Sequence, residues 1–92
     1  MILGGWNLDE VKGCNLPQKV ATDFTAVTSE LVGADYEPIA YLGSQVANGI
    51  NYRILALQRI VAINAEKKIV KMIINEAPDG SVRLVSVSGV AL

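Results

Sequence analysis

Ser44-Gln45-Val46-Ala47-Asn48-Gly49-Ile50-Asn51-Tyr52 is the stretch whose reading decides the fold. Asn48-Gly49 stands between two strand-like runs, Tyr36 to Val46 and Tyr52 to Ile63. A tight type I′ turn needs positive φ at both central residues, and Asn-Gly supplies them at least cost. The stretch therefore reads first as the tip of an antiparallel hairpin, and most such turns serve only to reverse the chain. Its chemistry is unusual for that role: the tip is small, uncharged and partly apolar, where turns commonly carry charge.

The chain around the hairpin has a regular plan. Upstream, Pro17 suits the start of a helix, where a missing N–H costs nothing. Val20, Phe24, Val27 and Leu31 follow at i, i+4, i+7 and i+11, one apolar stripe. Gln18, Asp23, Thr25, Ser29 and Glu30 fall largely off it, and Gly33 is expected to end the helix at C′. The spacing predicts a helix over about residues 17–32, its stripe laid on a sheet. Pro38, near the start of the Tyr36 to Val46 strand, argues for an edge or strand-entry position. Downstream, Asn64-Ala65-Glu66 turns the chain, and Ile69 to Asn75 and Val82 to Ser88 form two more strands. Asp79-Gly80 closes the hairpin between them. Leu55, Leu57, Ile73, Val85 and Val87 cannot all face the helix if Ile54, Val70 and Ile74 do. Either the outer face of the sheet is partly apolar or the strand phase slips by one.

Composition bounds the function. Ninety-two residues, 51% of them hydrophobic, make one domain spanning 1–92 with material for a core. One cysteine, Cys14, allows no internal disulfide, which suits a reducing compartment. With no histidine, histidine-based triads and imidazole metal sites are ruled out, and Cys14 has no imidazole to activate it. Gly43 to Gly49 lacks the lysine and hydroxyl of a phosphate-binding loop. Asp9-Glu10 reads as a solvated pair. Asp35 beside Tyr36 is the pair a pocket could use as acid and base, but the chain as a whole does not read as an enzyme, and no cofactor or metal is expected. A net charge of −1 with mixed signs and few aromatics argues against nucleic acid. No apolar run approaches the ~18 residues of a membrane span. Met1 to Trp6 lacks the basic and apolar regions of a signal peptide, so a cytoplasmic location is expected.

The stretch Gln45-Val46-Ala47-Asn48-Gly49, continued by Asn51-Tyr52, resembles the first inhibitory hairpin of the cystatins, whose motif is Gln-x-Val-x-Gly. Gly4-Gly5 ahead of the helix and Ala77-Pro78-Asp79-Gly80 between the last strands match the family at two further places. The disulfide-free chain is similar to the stefin-like members. The resemblance covers nearly the whole chain and implies an α+β, cystatin-like fold: one α-helix packed across a curved four- to five-stranded antiparallel β-sheet. A short first strand near Trp6 would complete its order. It also implies inhibition of papain-like, cathepsin-type cysteine proteases, by a wedge that plugs the cleft. Leu3, Gly4 and Gly5 would supply the N-terminal part. Gln45, Val46, Ala47, Asn48 and Gly49 would supply the first hairpin, and Pro78 and Asp79 the second. The sequence departs from the family in two places. Ala47 stands at the motif's middle valine, and Asp79 follows Pro78 where the family often has Trp. Both shrink the apolar wedge, which leaves a non-inhibitory, partner-binding or self-associating scaffold as the alternative. In the family, chains can open at the hairpin and exchange strands as a domain-swapped dimer. Asn-Gly accepts a tight turn comfortably, so a monomer is expected here.

Overall fold

The computed structural model describes residues 13–61 and 66–90. Over these, one helix, α1 (Gln18–Thr28), is followed by four strands: β1 (Ala34–Val46), β2 (Ile50–Ile60), β3 (Lys67–Glu76) and β4 (Val82–Gly89). The strands pair in chain order, β1-β2-β3-β4, all antiparallel. The helix packs across this sheet, mainly over β3 and β4. This is the α+β order that the cystatin resemblance implies. The expected strand near Trp6 lies outside the described residues, as do Asn64 and Ala65 of the expected turn.

The apolar stripe of α1 becomes the core. Val20, Phe24 and Val27 are buried against Tyr52, Ile54 and Ala56 of β2 and Val70, Met72 and Ile74 of β3. Leu31 is half-buried against the same cluster. The helix is shorter than its stripe. Pro17 sits one position before it, as N-cap, and accepts the Ala21 N–H on its carbonyl. At the other end, the hydroxyls of Thr28 and Ser29 donate to the carbonyls of Phe24 and Ala26. Thr22 bonds the Gln18 carbonyl in the same way inside the helix, so these bonds accompany the end without causing it. The chain then tightens through Glu30 and Leu31, whose N–H groups reach back only three residues. Gly33 is therefore not the C′ residue; at φ +91 it turns the chain into β1, and its carbonyl accepts from Val61.

Pro38 stands in β1, the terminal strand of the sheet among the described residues. There its missing N–H costs no ladder bond, while its carbonyl accepts the Cys14 N–H at 2.8 Å. Register shifts interrupt β1 twice, at Pro38/Ala40 and Tyr41/Gly43, and β3–β4 once, between Ile73 and Ile74. Such bulges bend a strand and re-aim its side chains. The one opposite Ile73 and Ile74 resolves the crowding of apolar residues. Leu55, Leu57 and Ile73 do face away from the helix, whereas Val87, beyond the bulge, returns to pack on the core and Val85 is left 44% exposed.

Candidate functional site

The first hairpin tip contains the expected left-handed residues, Asn48 at φ 44 and Gly49 at φ 103. It is not a two-residue turn, however. Val46 pairs with Ile50, so the loop takes three residues, Ala47-Asn48-Gly49, closed by Ala47 N–H donating to the Gly49 carbonyl at 3.0 Å. The register decides this: Ile50 must meet the core, which sets Val46 opposite it. Val46 is left 90% exposed, and Ala47 and Asn48 are exposed beside it.

The second hairpin lies at the same end of the sheet. Ile50 pairs with Glu76, the residue before Ala77-Pro78-Asp79-Gly80. Gly49 packs directly on the Glu76 carbonyl and on Ala77, with no room for a side chain. The second loop is internally braced. Ala77 N–H donates to the Ser81 carbonyl (2.8 Å), and Gly80, at φ +88, donates to the Ala77 carbonyl (2.9 Å). Asp79 Oδ1 accepts from the Ser81 hydroxyl (2.7 Å) and the Ser81 N–H (2.9 Å). The hydroxyl first, then the backbone, hold the Asp79 carboxyl below the usual range. Asp79 thus spends its charge on its own turn, while Pro78 beside it is exposed. Of the residues proposed from sequence, Gln45 to Gly49 and Pro78-Asp79 are brought together. Leu3, Gly4 and Gly5 lie outside the described residues.

Two supports beneath the tips are missing from the sequence reading. On the outer face, an amide ladder crosses three strands: Asn51 donates to Gln45 (3.3 Å), and Asn75 donates to Asn51 (2.9 Å). Asn75 is buried, and such a ladder pins strand register. On the helix side, Lys19 pairs with Glu76 and lies 3.8 Å from Asp23. Asp23 is 3% exposed, contrary to its expected place off the stripe, and its Oδ2 has no hydrogen-bond partner. Burial raises its carboxyl above the usual range, and Glu76 raises it further against the opposing pull of Lys19. The hydrogen bond to Glu76 in turn raises Lys19. Burial first, then Glu76 and Asp23, raise the Tyr52 hydroxyl. A signal for Asp23 was present: it stands three residues after Val20 and four after Lys19, on the same side of the helix.

The remaining chemistry-bearing groups are dispersed. Asp35 is exposed on the outer face, while Tyr36 points inward and accepts from Gln58 at 2.9 Å, so the two do not form an acid–base pair. Cys14 is free and half-buried in a groove between α1 and β1, beside Leu16, Phe24 and Tyr36. Among the described residues no cluster of three or more His, Cys, Asp or Glu could hold a metal ion, and no helix is long and apolar enough to cross a membrane. No protein-family model matches the chain, and no curated protein and no solved structure matches it. The functional reading therefore rests on the residues themselves.

Proposed function

We propose that this protein reversibly inhibits papain-like cysteine proteases by occluding the active-site cleft with its N-terminal segment and two hairpin tips. The observation that carries the reading is the placement of the tips: Gly49 packs on Glu76 and Ala77, and Val46 beside it is 90% exposed. A rigid apolar edge loses little entropy on docking. In this reading Val46, Ala47 and Asn48 cover the catalytic cysteine and histidine of the target. Gln45 and Gly49 hold the turn, Pro78 rests on the far wall with Asp79 bracing its loop, and Leu3 fills an apolar subsite ahead of Gly4-Gly5. The test is hydrolysis of a fluorogenic peptide by papain and cathepsin-type enzymes, titrated with the intact protein. Inhibition that is reversible and competitive is expected. No inhibition of several such enzymes at micromolar concentration would overturn the reading.

A second reading, a cystatin-like scaffold that binds a partner without inhibiting, is favoured by one observation. The outer face of the sheet leaves Leu42 39% and Val85 44% exposed, apolar groups outside the core. The same assay separates the two readings.

A further inference from the structure

The outer face of the sheet is charged as well as partly apolar. Of the eight lysines and arginines in the chain, five stand on the outward-facing positions of β2, β3 and β4: Arg53, Arg59, Lys67, Lys71 and Arg83. The strands place two carboxylates there, Asp35 and Glu37. Both are in β1, in register with Arg59 and Leu57, at the end away from the hairpin tips. Among the described residues, the strands place no carboxylate on this face towards the tips. Arg53, Lys71 and Arg83 make no ion pair with the described residues. A chain of net charge −1 thus concentrates its positive charge on one face.

That face also has a built depression. Arg53 pairs with Ile73, which pairs with Ser86, so one row reads cation, aliphatic, hydroxyl. Lys71 lies two residues before Ile73 on the same strand, and Arg83 pairs with Asn75 two residues after it. At the β1 end of the row stands Gly43, at φ +117, where a side chain would meet nothing within 4 Å. The result is a hollow of about 210 Å³ lined by Leu42, Gly43, Gln45, Asn51, Arg53 and Ile73. Its walls carry an aliphatic contact, amide donors and a guanidinium, a donor set suited to a carboxylate attached to an apolar body.

We propose that this face is a second docking surface, separate from the hairpin tips, for an acidic protein segment with an apolar side chain between carboxylates. The apolar group lies against Ile73 and Leu42, one carboxylate meets Arg53 at the hollow, and flanking carboxylates meet Lys71 and Arg83. Arg53 and Lys71 stand one strand and two residues apart, roughly 8 Å, and Lys71 and Arg83 one strand and four residues apart, roughly 14 Å, so these cations match carboxylates two and four residues apart in an extended segment. Protein is favoured over an anionic bilayer because the apolar side chains here do not protrude. Leu42 and Val85 are at most 44% exposed, and the site is a hollow where insertion would need a ridge.

The experiment uses the full ¹⁵N-labelled chain, titrated in low salt with acetyl-Asp-Glu-Leu-Glu-Asp-amide. Its neutral counterpart, acetyl-Asn-Gln-Leu-Gln-Asn-amide, serves as control. Saturable shifts centred on Arg53, Lys71, Ile73 and Ser86 are expected, weakening with added salt. The double variant Arg53→Gln/Arg83→Gln should bind about tenfold more weakly. Lys68→Gln, on the opposite face in register with Gln58, should bind as the parent does. Circular dichroism checks that each variant is folded. Absence of saturation up to about 1 mM peptide, a binding free energy no better than about −4 kcal/mol, overturns the proposal. So do shifts centred elsewhere, equal binding of the neutral peptide, or no loss in the double variant. If instead phosphatidylserine vesicles sediment the parent but not the double variant, and the peptide does not compete, the face binds lipid and the proposal is wrong. Loss of protease inhibition in none of these variants leaves the hairpin reading untouched, so the two proposals fail separately.

Discussion

Replacing glycines one at a time separates two costs at the hairpin tips. Gly49 and Gly80 both have positive φ, +103 and +88, so alanine at either position is strained by about 1–2 kcal/mol. They differ in surroundings. A Cβ at Gly80 meets nothing within 4 Å, whereas one at Gly49 collides with the Glu76 carbonyl and crowds Ala77. That obstacle is backbone at the end of a paired strand, so it yields only by moving β3 or the tip, an overpacking cost of about 1–3 kcal/mol. Gly80→Ala should therefore lose about 1–2 kcal/mol and Gly49→Ala about 2–5 kcal/mol. Urea unfolding followed by circular dichroism measures both, and equal m-values confirm that the difference lies in the folded state. The Asn48 amide signal, in the first tip, should move in Gly49→Ala and stay in place in Gly80→Ala, whose strain is confined to the second loop. If Gly49→Ala costs no more than Gly80→Ala, the two tips are not packed on one another, and a single rigid edge is lost as a premise.

Three further outcomes are expected. Phe24→Ala should cost about 3–5 kcal/mol in the same unfolding assay, and a loss below about 1 kcal/mol would remove Phe24 from the core. The Asp23 carboxyl is raised in the folded chain, chiefly by burial, so its contribution to stability is full below the ordinary carboxylate range near pH 4 and is lost as pH rises through the folded value. Asp23→Asn should accordingly be more stable than the parent at pH 7, by about 1 kcal/mol, with the advantage vanishing in acid; a destabilised variant at pH 7 contradicts this. Removing Met1 to Gly4 should change stability by less than about 1 kcal/mol but weaken protease binding by at least about 2 kcal/mol, roughly thirtyfold; unchanged inhibition would confine the binding edge to the hairpins.

Much of this fold is legible in the chain because its signals are local. The Val20, Phe24, Val27 stripe is a property of one helical turn after another. Pro38 excludes itself from a central strand through its own ring, and Asn48-Gly49 reverses the chain through its own backbone freedom. Most of what escaped depends on partners distant in sequence. The end of the helix escaped for a local reason: after Thr28 the chain tightens to bonds spanning three residues, which a stripe continuing to Leu31 does not register. Val87 turns to the core while Val85 stays exposed because the β3–β4 register shifts between Ile73 and Ile74, and alternation within β4 cannot reveal where the pairing slips. Asp23 is buried beside Glu76, fifty-three residues later, because α1 packs over β3, a placement no helical period reveals. The candidate site divides in the same way. The residues of each tip were readable from the chain alone, since turns are written in φ preferences. That Gly49 rests on Glu76 and Ala77, and that Arg53, Lys71 and Arg83 gather on one face, was decided only by the strand register. Register is a property of pairs of strands, set where the core and the bulges together leave one alignment.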